Sequence, residues 1–134
     1  MNAEDLKKRT KKFALRILKL VDGLPNTLQG RTVGGQLVRA GTSVGSNYRA
    51  ACRGRSKAEF ISKLGIVEEE ADESAFWLEL IIEGELLKQQ VVQPLLNEAN
   101  ELTRIIARSR VTASSRLNRS KLEQNRQSAI GNRQ

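Results

Sequence analysis

Histidine is absent from the sequence, which removes the commonest general base and the commonest metal ligand. A single cysteine, Cys52, excludes an internal disulfide and a cysteine-based zinc cage. Aromatic residues make up only 4% of the 134 residues, too few for an extended platform that stacks single-stranded bases. No run reaches the roughly 18 consecutive apolar residues of a membrane span, and the N-terminus lacks the apolar core of a signal peptide. These absences set the expectation of a soluble, cytoplasmic protein that uses no metal, no cofactor and no membrane.

What is present supports one packed domain. Hydrophobic residues are 39% of the chain and charged residues 28%, enough for a single core under a solvated surface. The net charge of +8 is unevenly spread. Residues 1–63 carry 14 Lys/Arg against 4 Asp/Glu, residues 64–110 carry 4 against 10, and residues 111–134 carry 5 against 1. A basic half joined to an acidic half can attract itself, within one bundle or between subunits. The excess positive charge also suits phosphate.

Periodicity predicts four helices. The spacing of Leu6, Thr10, Phe13, Ile17, Leu20, Val21 and Leu24 predicts the first, from Asp5 to Val21, with Gly23 as a left-handed cap before Pro25. Leu15 and Leu18 fall off this stripe and are expected to widen the buried face. Thr27 to Cys52 is rich in glycine, and each interior Gly costs a helix about 1 kcal/mol. Yet Val33, Leu37, Ala40, Gly41, Val44, Tyr48 and Ala51 recur at helical intervals, so a second helix is predicted there. Ser56 followed by Glu59 is a capping-box pattern, and Phe60, Leu64, Val67, Ala71, Ser74, Leu78 and Ile81 form a near-heptad seam running to Leu87. Pro94 suits the first turn of a last helix carrying Leu95, Ala99, Leu102 and Ile106. From Val111 onward polar residues dominate, which predicts a disordered basic tail. The expected architecture is therefore all-α: an antiparallel up-and-down four-helix bundle over 1–110, with a disordered C-terminal tail over 111–134.

Several motifs fail on inspection. Gly30-x-x-x-Gly34 and Gly41-x-x-x-Gly45 lack the Lys-Ser/Thr ending and the preceding strand of a phosphate loop, so close helix packing explains them better. The acidic run Glu68 to Glu73 has no histidine to complete a di-iron site and reads as a solvated helix face. Cys52, Ser43 and Ser46 have no evident base, and no enzymatic activity is expected. Two features survive. Lys8, Arg9, Lys12 and Arg16 on the first helix would lie beside Arg49, Arg53, Arg55 and Lys57 if the first two helices are antiparallel, making a patch for phosphate contacts. Tail residues Arg116, Arg119 and Lys121 would add non-specific affinity. Phe76, Trp77 and Leu80 widen the apolar arc of the third helix beyond one neighbour's needs and are candidates for an oligomer interface.

The stretch Leu37-Val38-Arg39-Ala40-Gly41-Thr42-Ser43-Val44-Gly45-Ser46-Asn47 resembles the L-x-R-A-x-x-S-[IV]-x-x-N signature of the small bacterial four-helix bundle proteins encoded in intervening sequences of 23S ribosomal RNA genes. Arg55 to Leu64 and Glu73 to Leu80 are similar to that family's following segments, so the resemblance spans about residues 5–110. The resemblance implies a homopentameric ring and relatedness to the accessory proteins of diversity-generating retroelements, which bind nucleic acid and a reverse transcriptase. After Asn47 the family often carries a Glu where this chain has a small residue flanked by arginines, so the end of this helix is more basic. Arg39, Ser43 and Asn47 are assigned to the packing motif, as groups that hydrogen-bond between helices. The resulting expectation is a non-catalytic, homo-oligomeric bundle that binds RNA or DNA through phosphates. The alternative is a scaffold whose basic helices dock an acidic protein.

Overall fold

The computed structural model describes residues 1–131 as four helices: α1 (Ala3–Val21), α2 (Leu28–Cys52), α3 (Lys57–Glu83) and α4 (Gln89–Gly131). Polar caps set three of the starts. Asn2 and Asp5 cap each other's backbone at α1, and Thr27 Oγ1 accepts from the Gly30 amide at 3.1 Å. Ser56 Oγ accepts from the Glu59 amide at 3.1 Å. The reciprocal half of that last cap differs from the sequence expectation, because the Glu59 carboxylate accepts from the Arg55 amide instead.

The connections are short, so neighbouring helices run antiparallel. α1 packs on α2, α2 on α3 and α3 on α4, with a lighter contact between α1 and α4. The backbones of α1 and α3 come nowhere within 8 Å of each other, nor do those of α2 and α4, which places each pair on a diagonal of an up-down-up-down square. The glycines of α2 explain how α1 comes so close. A Cβ on Gly41 would lie 2.8 Å from the Ile17 side chain, and one on Gly45 would lie 3.3 Å from the Thr10 carbonyl oxygen. Phe13, Ile17, Leu37, Val44, Leu64, Leu78, Leu102 and Ile106 fill the centre. Two buried hydroxyls are satisfied on their own helices: Thr10 donates to the Leu6 carbonyl at 2.9 Å and Ser74 to the Glu70 carbonyl at 2.8 Å. Among the described residues, no helix is long and apolar enough to cross a membrane.

Five sequence expectations need correction. Leu15 and Leu18 do not widen the buried face; they are 60% and 44% exposed, because α1 spends its whole apolar arc on α2 and α4. Gly23 is not left-handed, since no glycine has a positive φ; the chain turns through 3₁₀-type bonds from Gly23 and Leu24 to Leu20 and Val21. α3 stops at Glu83 and not at Leu87, ended by Gly84 and a left-handed Glu85 with φ 56. α4 starts at Gln89, so Pro94 stands inside it and not in its first turn. The cost is the bond that the Gln90 carbonyl would have accepted, on an exposed turn where water can replace it.

The fifth correction concerns the tail. Where disorder was expected over 111–134, α4 continues as a helix to Gly131; residues 132–134 lie outside the described part. The segment has no proline, and no glycine before Gly131, so nothing in it breaks a helix already nucleated in the bundle. It adds nothing to the core, whose last buried side chain is Ile106.

Glu85 yields a first prediction. A left-handed L-residue is strained by roughly 1–2 kcal/mol, part of which Gly would return to unfolded-chain entropy. Glu85→Gly should therefore raise stability by about 0.5 kcal/mol in urea denaturation.

Candidate nucleic-acid interface

The antiparallel α1–α2 pair brings the N-terminal half of α1 beside the C-terminal half of α2. A cleft of about 360 Å³ opens there, lined by Lys7, Lys8, Lys11, Ala14, Thr42, Gly45, Ser46 and Arg49. Its floor is small because Gly45 lets the backbones meet, and its rim carries four cations and two hydroxyls. Lys7 is held by Glu4 at 3.1 Å, whereas Lys8, Lys11 and Arg49 form no ion pair among the described residues. Low local carboxylate content leaves these charges available to an anion.

Of the sequence-predicted contacts, Lys8 and Arg49 meet in this cleft. Arg53, Arg55 and Lys57 are exposed at the α2–α3 turn, directly beyond Arg49. The α4 exit adds Arg108 and Arg116, which border Phe60 near the start of α3. The N-terminal half of α1, the α2–α3 turn and the extension of α4 thus share one end of the bundle, and that end is basic. Along α4, Arg108, Arg119 and Arg126 are eleven and seven residues apart and fall on one face.

Three predicted contacts do not join them. Arg9 turns toward α4, where its Nε donates to Glu98 Oε2 at 2.8 Å and its Nη2 to Glu98 Oε1 at 2.7 Å. Glu101 stands 3.1 Å from the same nitrogen. The hydrogen bonds to Glu98 raise the guanidinium pKa above its usual value, against a partial loss from desolvation. Arg9 is therefore a clamp between α1 and α4, not a free cation. Lys12 and Arg16, three and seven residues further on, share Arg9's side of α1 and do not line the cleft.

The motif residues divide in the same way. Arg39 bonds from α2 to Glu70, at 3.2 Å, and to Glu73 on α3, and these carboxylates raise its pKa, Glu73 first. Ser43 and Asn47 do not hydrogen-bond between helices: Ser43 Oγ donates to the Arg39 carbonyl and Asn47 Nδ2 to the Ser43 carbonyl, both within α2. On α3, Phe76 is 50% and Leu80 37% exposed, whereas Trp77 is half-buried with its indole N–H sealed off and unpartnered. The Phe76 and Trp77 rings pack edge-to-face, 5.1 Å apart. Cys52 is half-buried and does not line the cleft; the neighbouring Tyr48 phenol has a raised pKa, chiefly from burial.

Neither Lys11, which belongs to the basic run of α1, nor Arg108 was among the sequence-predicted contacts. Lys11 had a usable signal, since it lies one turn after Lys7 and faces α2 with it. Arg108 had none, because its neighbour Arg116 lies in the segment expected to be a disordered tail.

Comparisons with known proteins agree with the fold. Residues 4–108 match the family model described as 23S rRNA-intervening sequence protein. The chain is similar to a solved structure from Bacteroides thetaiotaomicron VPI-5482, described as a protein with unknown function from the S23 ribosomal protein family. The two share 35% identity with a TM-score of 0.71, covering 75% of this chain and 94% of that one. No curated protein matches the chain.

Proposed function

Since the chain belongs to the 23S rRNA-intervening sequence protein family, we propose that it binds nucleic acid, RNA or DNA, through backbone phosphates at the basic end of the bundle and performs no chemistry on it. One observation carries this reading: Lys8, Lys11 and Arg49 converge on a cleft with Thr42 and Ser46, and none of the three cations has a carboxylate partner among the described residues. Lysines and an arginine around a shallow floor meet phosphate oxygens and do not read base edges. The cleft has no aromatic side chain for stacking, so affinity comes from charge and falls steeply with salt.

The test is fluorescence anisotropy with a single-stranded RNA and a DNA of the same sequence, across a salt series. Changing Arg49, Arg53 and Arg55 together to Glu should weaken binding about 100-fold at 0.1 M salt. The slope of log affinity against log salt should fall by about 2 in magnitude, near 0.7 for each phosphate that is no longer neutralised. A chain ending at Arg110 keeps every buried core residue and should bind more weakly but measurably. Unchanged affinity in the triple variant would overturn the reading. No binding by any form would favour an acidic protein as the partner of the same cations.

A further inference from the structure

α4 outruns its neighbour. Phe60, on the first turn of α3, already shares a cavity with Arg116, and α4 continues as helix from there to Gly131, about 22 Å further. From Lys121 to Gly131 every residue is exposed. A helix that is polar on all sides normally holds itself by many pairs of opposite charge one turn apart. Glu123 is the one acid in this extension, so such pairs are almost absent. Asparagine is a poor choice for a solvated helix, yet Asn118 and Asn125 both stand in it. Its composition makes sense as a surface built for a partner.

One face of the extension is regular. Asn118 is followed by Arg119, Leu122, Asn125 and Arg126 at one, four, seven and eight residues. At about 100° per residue these five side chains share about a third of the circumference. All five are exposed, Leu122 by 67%. The stripe stands nearly opposite Leu95, Ala99, Leu102 and Ile106, the line by which α4 packs on the bundle, so it looks away from the protein. Lys121 flanks it on one side and Arg116 on the other, and Arg104 and Arg108 continue its line along the bundle. Neither Arg119 nor Arg126 forms an ion pair among the described residues. Glu123 falls outside this face, beyond Arg119.

Arginine and asparagine are the side chains that pair bidentately with guanine and adenine edges, and an apolar neighbour suits the thymine methyl. A helix about 10–12 Å across fits the major groove of B-form DNA, about 12 Å wide, and cations on its flanks meet the phosphates of the two walls. The deep, narrow major groove of duplex RNA does not admit it. We infer that the extension of α4 enters the major groove of duplex DNA and reads base edges with Asn118, Arg119, Leu122, Asn125 and Arg126. This rests on the reading of the chain as a nucleic-acid binder and adds a second surface with a different role. The cleft holds phosphates of any sequence, and the arm selects among sequences. From Asn118 to Arg126 the stripe is about 12 Å long, enough for about three to four base pairs.

The test selects, from a pool of duplex DNA with a randomised centre, the molecules that the full chain retains, and sequences them. A motif of about three to four base pairs containing adenine and guanine should be enriched. In anisotropy, Asn118→Ala with Asn125→Ala should bind the selected duplex about 100-fold more weakly, and an unselected duplex within about threefold of the natural chain. Ser120→Pro breaks the helix without removing a charge or touching the core, and should lose the same preference. An RNA duplex of the selected sequence should bind no better than unselected DNA. No enriched motif, an unchanged preference in either variant, or equal binding of the RNA duplex would overturn the inference. Arg49→Glu with Arg53→Glu and Arg55→Glu keeps the two failures apart, since it should weaken both duplexes alike and preserve the preference between them. Arm variants without effect sink this inference alone, whereas a cleft variant without effect sinks only the phosphate reading of the cleft.

Discussion

Replacing Gly30 by alanine is expected to cost about 2–3 kcal/mol of folding stability, although the residue lies in a helix where alanine is normally the better choice. Gly30 is buried on the first turn of α2, and its amide is taken by the Thr27 cap. A Cβ there would overlap the Pro25 carbonyl oxygen and press on Thr27 Oγ1 at 3.3 Å. A side chain could rotate out of the way, but a carbonyl in a tight connection cannot, so the whole turn between α1 and α2 must re-form. Gly35, one and a half turns later, is the control. It is exposed, with nothing within 4 Å of an added Cβ. Gly35→Ala should therefore gain about 0.5–1 kcal/mol. Urea denaturation of the two variants reads opposite signs from the same chemical change. Equal signs would refute the close approach of Pro25.

Arg9→Ala should cost about 2–3 kcal/mol while leaving nucleic-acid affinity within roughly twofold. The bidentate pair with Glu98 ties α1 to α4, where the contact between helices is light, and Arg9 and Glu98 keep only 22% and 16% of their side-chain surface exposed. Removing the guanidinium leaves a half-buried carboxylate without its donor, and this accounts for most of the loss. Arg9→Ala combined with Glu98→Ala should recover about half of it. Denaturation and anisotropy on the same samples separate the roles. A stable Arg9→Ala chain that had lost its affinity would return Arg9 to the phosphate-binding set.

Much of this was legible in the sequence because core positions repeat with the helical period. The seam of α3 from Leu64 to Ile81 and the line Leu6, Thr10, Phe13 and Ile17 could be read directly, and both are buried. Even the glycine-rich α2 gave itself away, since its small residues recur at the spacing that a close neighbour requires. Arg9 was misplaced for a physical reason: a cation's role depends on which acid faces it across the bundle. Nothing near Arg9 in sequence announces Glu98 and Glu101, whereas Arg39 does bond between helices as expected, to Glu70 and Glu73. Leu15 was misread for a related reason, since periodicity says that a residue is off the stripe but not how wide a stripe its neighbours can cover. The end of α4 was misread because a helix can extend from a packed segment into a sequence too polar to fold by itself.

That long helix has a thermodynamic consequence. Its 43 residues span about 65 Å at 1.5 Å per residue, yet no side chain beyond Ile106 is buried. The bundle supplies the nucleus, so each further turn is added at the cost of propagation alone, and its helical weight declines with distance from the last packed layer. A polyanion lying along Arg108, Arg119 and Arg126 would relieve repulsion between those guanidiniums and raise the weight of every turn between them. The enthalpy and entropy of helix growth then enter the binding equilibrium. Affinity along this arm would vary with temperature as a helix–coil equilibrium does, with the bundle acting as its thermal anchor.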